Sequence, residues 1–361
     1  MRILSVNAGS SSLKLSLLDS GDQVVARRHV EAVGGRFDAG MVTDSLAGLP
    51  APDAVGHRVV HGGREFVAPV RIDEHVERRL RELTALAPLH QPKSLAGIEA
   101  VRGGLPGVPE VACFDTAFHA TLPDAAATYA VPEAWRRAYG LRRYGFHGLS
   151  HAYAARRVAG LAGTTPARLV VCHLGAGASL AAVRDGRSVD TTMGFTPLEG
   201  LVMATRSGDV DPGMLLWLAE RTDLTITELS RALEHESGLY ALAGTADMRE
   251  VLTRAAGGEP RAVLARDVYV HRLRAAVAGM AASLGGLDAL VFTGGVGEHA
   301  VEIRSLAAAG LGFLGVAVDD DANRAAVPDA EITGAGAPVR TFVIEAREDL
   351  EIAAGVRAVL G

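Results

Sequence analysis

Apolar and polar positions set out a repeated design before any composition is counted. Residues 3–19, ILSVNAGSSSLKLSLLD, run as an apolar strand (Ile3, Leu4, Val6), a turn of small polar residues and a second, alternating strand. The pattern returns at 168–186, RLVVCHLGAGASLAAVRDG, with its turn at Gly175 to Ser179. Two strand–turn–strand units in one chain predict two related lobes, each offering a turn toward a shared cleft, although Gly-rich turns are common enough to pair by chance. Further strands are predicted at VVARRHVEAV, AVGHRVVHGG, VPEVACFD, LDALVFTGG and PVRTFVIE. Helices are predicted at Val76 to Ala87, Ser94 to Val101, from GFHGLSHAYAARRVAG, over TITELSRALEHE and RAVLARDVYVHRLRAAVAGMAASLG, from near Glu298, and at the terminal EDLEIAAGVRAVL. Strands alternating with helices predict an α/β protein, and the character of the chain changes near residue 118.

Length then fixes the scale: 361 residues exceed one typical core and fit two domains. With 48% hydrophobic residues, two cores can be filled, and the absence of a low-complexity linker predicts close coupling. The N-terminal apolar run breaks at Asn7, far short of the roughly 20 residues of a membrane span, so a cytoplasmic protein with no membrane partner is expected. Cys113 and Cys172 each lie in an apolar run without metal-ligand spacing, which predicts buried, reduced thiols. A net charge of −6 argues against nucleic acid as a partner.

Candidate chemistry gathers where apolar strands end. Gly9 and the serines around it read either as an ordinary hairpin turn or as an anion cradle, since a glycine lets backbone amides approach phosphate oxygens. Lys14 shares a strand face with Ser12, as an ammonium beside that turn or as a solvated residue. Asn7, Asp115, His173 and Gly294 each follow an apolar strand, the position at which open α/β sheets bind ligands. Arg58, set inside AVGHRVV, reads as an anion-binding cation, with a surface ion pair as the alternative. Segment 194–213, GFTPLEGLVMATRSGDVDPG, reads as an ordered loop carrying Arg206, whose planar fork suits phosphate or carboxylate oxygens. His147 in YGFHGLSH reads as a hydrogen-bonding side chain, because His151 four residues on lacks a third ligand for a metal. A third glycine turn, Gly294, Gly295 and Gly297 before a helix, offers close approach to a nucleotide.

NAGSSSLK at 7–14, HRVVHGG at 57–63, PLHQP at 88–92, FDTAFH at 114–119, RYGFHGLSH at 143–151, MGFTPLEGL at 193–201 and FTGGVGE at 292–298 together closely resemble the acetate kinase family, in family order over almost the whole chain. The region from 20 to 50 is shorter than in longer members. The resemblance implies an α/β fold of two duplicated ribonuclease H-like, actin-like lobes of the acetate and sugar kinase/Hsp70/actin superfamily, with an active-site cleft between them. The expected lobes are 1–118 plus 350–361, and 119–349 for nucleotide binding and dimerisation. It also implies a homodimer, the substrates ATP/ADP, acetate and acetyl phosphate, and Mg²⁺ (Mn²⁺ in its place) as cofactor.

Carried over by position, Asn7, Ser10, Ser12 and Lys14 match the family's first phosphate-side motif. Arg58 and Arg206 match its two substrate-binding and catalytic arginines, His147 its transition-state histidine, and Asp115 and Glu348 its acidic catalytic or magnesium-linked residues, with Asn7 and Glu348 as the metal pair. Val60, Leu89, Phe146 and Pro197 match the pocket for the acetate methyl, and His90 and His173 match further active-site histidines. His173, Leu174, Gly175, Ala176 and Gly177, then Asp247, Met248 and Arg249, then Gly295, Val296 and Gly297 match the nucleotide-binding segments. Two positions depart from the pattern: Ala176 and His299 each replace an asparagine, removing an amide near the nucleotide.

Acetate is ionised at neutral pH and needs no general base, so Asp115 and Glu348 are expected to act through Mg²⁺ or by positioning. Arg58 and Arg206, with His147, are expected to screen the repulsion between acetate and the polyphosphate during in-line transfer. The alternatives are a propionate or butyrate kinase with the same fold and a non-catalytic nucleotide switch. The switch would keep the glycine turns but would not need Arg58, Arg206 and His147 to converge.

Overall fold

The computed structural model describes residues 1–9, 12–32, 37–87 and 90–361. The chain divides into two compact units, the first made of Met1–Ala120, Phe146–Tyr153 and Arg347–Gly361, the second of Thr121–Gly145 and Ala154–Ala346. Segment 146–153, with His147, thus joins the first unit, a return that a linear division at 119–349 leaves out.

In the first unit, β1 (Ile3–Ala8), β2 (Ser12–Leu18), β3 (Val24–Glu31), β4 (Ala54–Val59), β5 (Val70–Arg71) and β6 (Glu110–Phe114) form one mixed sheet in the order β3-β2-β1-β4-β6-β5. The strands β1, β4 and β6 run parallel at its centre, and β1, β2 and β3 form an antiparallel meander at its edge. Alternation along the strands supplies a core on each face. Leu4, Val6 and Val55 pack with Ala100 and Val101 of helix Gln91–Gly104. Their neighbours Ile3 and Ala54 pack with Ile352, Ala353 and Val356 of the terminal helix Glu348–Leu360. Burying a side chain of this size stabilises the fold by roughly 1.5–3 kcal/mol, so the two layers together hold the central strands rigid.

In the second unit, β7 (Arg168–Leu174), β8 (Ala178–Arg184), β9 (Arg187–Thr191), β10 (Ala289–Thr293), β11 (Ala330–Glu331) and β12 (Arg340–Val343) form another six-stranded sheet, ordered β11-β12-β10-β7-β8-β9. Here β7, β8 and β9 repeat the antiparallel meander, and β10 and β12 repeat the parallel partners. The predicted duplication is therefore present at the level of strand order. In the first hairpin Ala8 pairs with Leu13, and in the second Leu174 pairs with Ala178 around residues 175–177.

Local chemistry sets the helix ends. Thr225 and Glu228 form a reciprocal capping box at the start of helix Ile226–His235. Helix Pro260–Leu284 starts with Pro at its first turn and stops at Gly285, whose φ of 73° is left-handed. One predicted boundary is corrected: the helix expected near Glu298 begins at Gly294, so the glycine run is itself helix Gly294–His299, followed by Val301–Ala309. Gly294, at φ 77°, permits this, because a Cβ there would meet the Leu174 backbone at 2.9–3.1 Å. Both cysteines are buried, and burial raises both thiols, Cys113 to about 12. Among the described residues no helix is long and apolar enough to cross a membrane.

Candidate active site

The carboxyl ends of β1, β4 and β6 bring three polar residues of the first unit together, and the terminal helix adds a fourth. Arg58 Nε donates to both carboxylate oxygens of Asp115, at 2.9 and 3.0 Å, and its Nη2 donates to Oδ2 at 2.6 Å. Arg58 Nη1 donates to Asn7 Oδ1 at 3.1 Å, while Asn7 Nδ2 donates to Glu348 Oε2 at 2.7 Å. Arg58 Nη1 also lies 3.6 Å from the Glu348 carboxylate. Burial works to strip the charge from Arg58, yet Asp115 and Glu348 outweigh it and raise the guanidinium above its ordinary range. Burial lifts Asp115 above the usual carboxylate range, with Arg58 opposing and Glu348 adding to the lift.

The loop carrying His147 is anchored to the same cluster. Gly148 N donates to the Asp115 carbonyl at 2.8 Å, and His147 has a φ of 56°, rare for a residue with a side chain and the mark of a position over-determined by its surroundings. Phe146 is buried edge-on to His61, with ring centroids 5.6 Å apart, and its carbonyl accepts from His119 Nε2 at 3.1 Å. Burial lowers His61 and His119 to about 4. Val60 is buried past the end of β4, and His90 precedes helix Gln91–Gly104. Lys14 is exposed and pairs across the hairpin with Asn7, while Ser12 is buried at the hairpin base. Ser10 and Leu89 lie outside the described residues.

In the second unit a cavity of about 770 Å³ is lined by Gly175, Ala176, Asp247, Met248, Arg249, Gly295 and Val296, together with His299. Three segments far apart in sequence thus meet around one space large enough for a nucleoside. Both positions that depart from the family pattern, Ala176 and His299, are on its wall. Asp247 caps helix Met248–Ala256 and is held near 2, chiefly by the Arg249 side chain, which donates to it at 2.6 Å. Leu174 is fully buried in β7, and Gly177 and Gly297 do not line the cavity. Gly177 instead accepts from Gly175 N at 3.0 Å, and Gly297 accepts from Arg304 at 2.9 Å. His173 is buried on β7.

Arg206 belongs to the second unit. Its Nη1 donates to the Pro197 carbonyl at 3.2 Å, and its Nε lies 3.1 Å from Glu234 Oε2. Burial lowers Arg206, and Glu234 pulls it back up. The loop at 193–201 is braced by Glu199, which accepts from Tyr129 and from Arg143, while Arg143 Nη1 donates to the Thr192 and Met193 carbonyls at 3.1 Å.

Sequence reasoning missed Glu234, the Tyr129–Glu199–Arg143 brace and Arg304. Each is an ordinary charged or polar residue in its local pattern. Arg304, on the helix Val301–Ala309 that follows the glycine run, is buried against the carbonyls of Gly297 and Glu298 and the Asn323 side chain.

An arginine held among carboxylates in one half of a duplicated scaffold and a nucleoside-sized cavity edged by glycine backbone in the other define the class as a kinase of the actin-like fold. The chain belongs to the acetokinase family, whose sequence pattern matches residues 40–354. It is 51% identical over 304 residues to an acetate kinase of Nostoc punctiforme, covering 83% of this chain and 75% of that protein. It is 46% identical over 384 residues to the acetate kinase of Clavibacter michiganensis subsp. michiganensis, covering 97% of each. Among solved structures it is similar to a propionate kinase from Francisella tularensis (TM-score 0.93, 36% identity, 99% of this chain and 100% of that one). It is also similar to Porphyromonas gingivalis acetate kinase (TM-score 0.92, 34% identity, 100% of both chains).

Proposed function

We propose that this protein transfers the γ-phosphoryl group of ATP to acetate and back, forming acetyl phosphate and ADP by direct in-line displacement. The observation that carries the reading is Arg58, held in a fixed orientation by Asp115 and Asn7 before any substrate arrives. An acetate oxygen attacks the γ-phosphorus, the bond to the β,γ-bridging oxygen breaks, and ADP leaves with the electron pair. Acetate is already a carboxylate, so Asp115 is not needed as a base, and its hydrogen bonds to Arg58 support a holding role instead. Arg58, Arg206 and His147 then supply donors for charge on the equatorial oxygens. The cavity edged by Gly175, Ala176 and Gly295 is assigned to the nucleoside of ATP or ADP.

Mg²⁺ fits the residues present. Glu348 and Asn7, joined by the Asn7 Nδ2 bond to Glu348 Oε2, carry hard oxygen donors. Such a site suits an ion held by one or two carboxylates plus substrate oxygens. When bound, Mg²⁺ supplies charge neutralisation on the polyphosphate, with Glu348 as its main protein ligand and Asn7 beside it.

We assign the pair of copies implied by the family resemblance to helix Pro212–Arg221, which buries none of its residues and exposes Leu216 and Trp217 by 65% and 58%. Cytoplasmic residence agrees with an ATP-using enzyme whose two cysteines are buried free thiols. The likeness to a propionate kinase makes acid selectivity the matter to measure. The test is hydroxylamine trapping of acyl phosphate with acetate, propionate and butyrate against ATP, GTP and pyrophosphate. Acetate with ATP is expected to give the highest kcat/KM, propionate less and butyrate very little, because each added methylene in a fitted pocket changes binding by about 1–3 kcal/mol. Butyrate turnover equal to acetate would sink the assignment.

A further inference from the structure

The acetokinase reading gives Arg206 a role but leaves open what aims it. Three hydrogen bonds stitch its loop to the end of helix Ile226–His235: Ser207 N donates to the Leu233 carbonyl at 3.1 Å, Thr205 Oγ1 to the Glu234 carbonyl at 2.9 Å, and Ser237 N to the Thr205 carbonyl at 2.9 Å. The last carbonyls of a helix lack partners within it and carry its negative end, so this loop satisfies them and brings a cation where it is favoured. Glu234, buried on the last turn, then meets Arg206 Nε at 3.1 Å. The Pro197 carbonyl meets Nη1 at 3.2 Å. A guanidinium gripped at Nε and at Nη1 has its plane fixed, and a planar fork recognises an anion only in that plane.

We propose that Glu234 is a positioning residue of the phosphoryl-transfer site, pinning the plane of Arg206 by accepting from Nε so that its fork is oriented before acetate or acetyl phosphate binds. The inference rests on the acetokinase reading of Arg206. The pin is the oxygen acceptor and not the negative charge, which by itself opposes an incoming anion. Loss of the acceptor therefore impairs the acyl side of the reaction, whereas loss of the charge alone does not.

The test uses the full-length protein as Glu234→Ala, Glu234→Gln and Arg206→Ala, with kcat, KM for acetate, KM for ATP and thermal midpoint measured on each. Glu234→Ala is expected to lose 10- to 100-fold in kcat/KM for acetate, with KM for ATP within twofold of the parent. Glu234→Gln, which keeps an acceptor at the same reach, is expected to stay within threefold of the parent with an equal or lower KM for acetate. If the alanine variant does not fold, Glu234→Asn takes its place, withdrawing the acceptor by one methylene, with the same expected loss. Parental kinetics in the variant lacking the acceptor overturn the proposal, and so does a glutamine variant as impaired as it. A loss shared equally between acetate and ATP and accompanied by a lower thermal midpoint also overturns it. An Arg206→Ala protein of parental activity instead overturns the reading on which the proposal rests.

Discussion

Arg58 Nε donates to Asp115 Oδ1 at 2.9 Å and Nη2 to Oδ2 at 2.6 Å, so the two residues are joined as a fork on a carboxylate and not as point charges. The pairing follows from strand order. Arg58 on β4 and Asp115 just beyond β6 lie on parallel neighbours, and Asp115 N donates to the Val59 carbonyl, which carries the ladder one residue past the strand. Asp115 is 1% exposed, so Arg58 and not water opposes the lift that burial gives its carboxyl.

Replacing the fork by a point charge should therefore separate orientation from charge. Arg58→Lys is expected to fold and to lose at least about 100-fold in kcat, since a lysine keeps the cation but not the bidentate geometry. Arg58→Ala is expected to cost about 3–5 kcal/mol of stability as well, by leaving Asp115 buried without a partner. Steady-state rates and urea unfolding of both variants check this, and parental kcat in Arg58→Lys would remove the fork from the mechanism.

Acid should weaken the first unit through its buried histidines. His119 and His61 are lowered by burial to about 4 from 6.5, so between those values the unfolded chain binds more protons than the folded one. Their contribution to stability is complete above about pH 6.5 and is lost as pH falls toward 4, at about 1.4 kcal/mol per pH unit for each ring. His61 Nδ1 accepts from Gly63 N at 2.9 Å, a bond that protonation forbids. Unfolding measured from pH 7 to 5 should show a shallower decline in His119→Gln than in the parent, and equal slopes would contradict the assignment.

The loop that carries Pro197 depends on one residue without a side chain. A Cβ on Gly194 would fall 1.7 Å from Glu199 Oε2 and 2.1 Å from the Tyr129 hydroxyl, in the middle of the brace. Gly194→Ala is expected to cost about 1–3 kcal/mol and to lower kcat/KM for acetate, because Glu199 and Tyr129 must part. Denaturant midpoint and kinetics together test it. An unchanged midpoint would show that the brace is slack.

The bare apolar face of helix Pro212–Arg221 should hold copies of the chain together. Trp217→Asp combined with Leu216→Ser is expected to shift the protein from dimer to monomer in sedimentation velocity, since both apolar side chains are more than half exposed in the single chain. A parent that sediments as a monomer at all concentrations would remove the dimer from the reading.

Much of this site was legible in sequence because its residues occupy positions that local pattern defines. Asn7 and His173 lie in the last two residues of their strands, and Asp115 and Gly294 follow theirs, so the ends of the apolar runs were enough to point at them. The duplication was legible in the same way, since the antiparallel strand pairs 3–8 with 13–18 and 168–174 with 178–184 repeat the alternation. The helical start at Gly294 was not, because glycines read as a turn by propensity, and the close approach of the Leu174 backbone that only a glycine allows there is a tertiary contact.

By itself, then, the sequence determined the elements, the two-fold repeat, the buried thiols and the strand ends where chemistry collects, all properties of residues near one another in the chain. Tertiary structure alone decided the partners. Glu348 reaches Asn7 across 341 positions, Gly175, Met248 and Gly295 meet around one cavity, and Glu234 meets Arg206 at the end of a helix with no unusual pattern. The physical reason is that strand and helix periodicities dictate which face a side chain takes, whereas the charge that neutralises it is chosen by sheet order and helix packing, which no local pattern encodes.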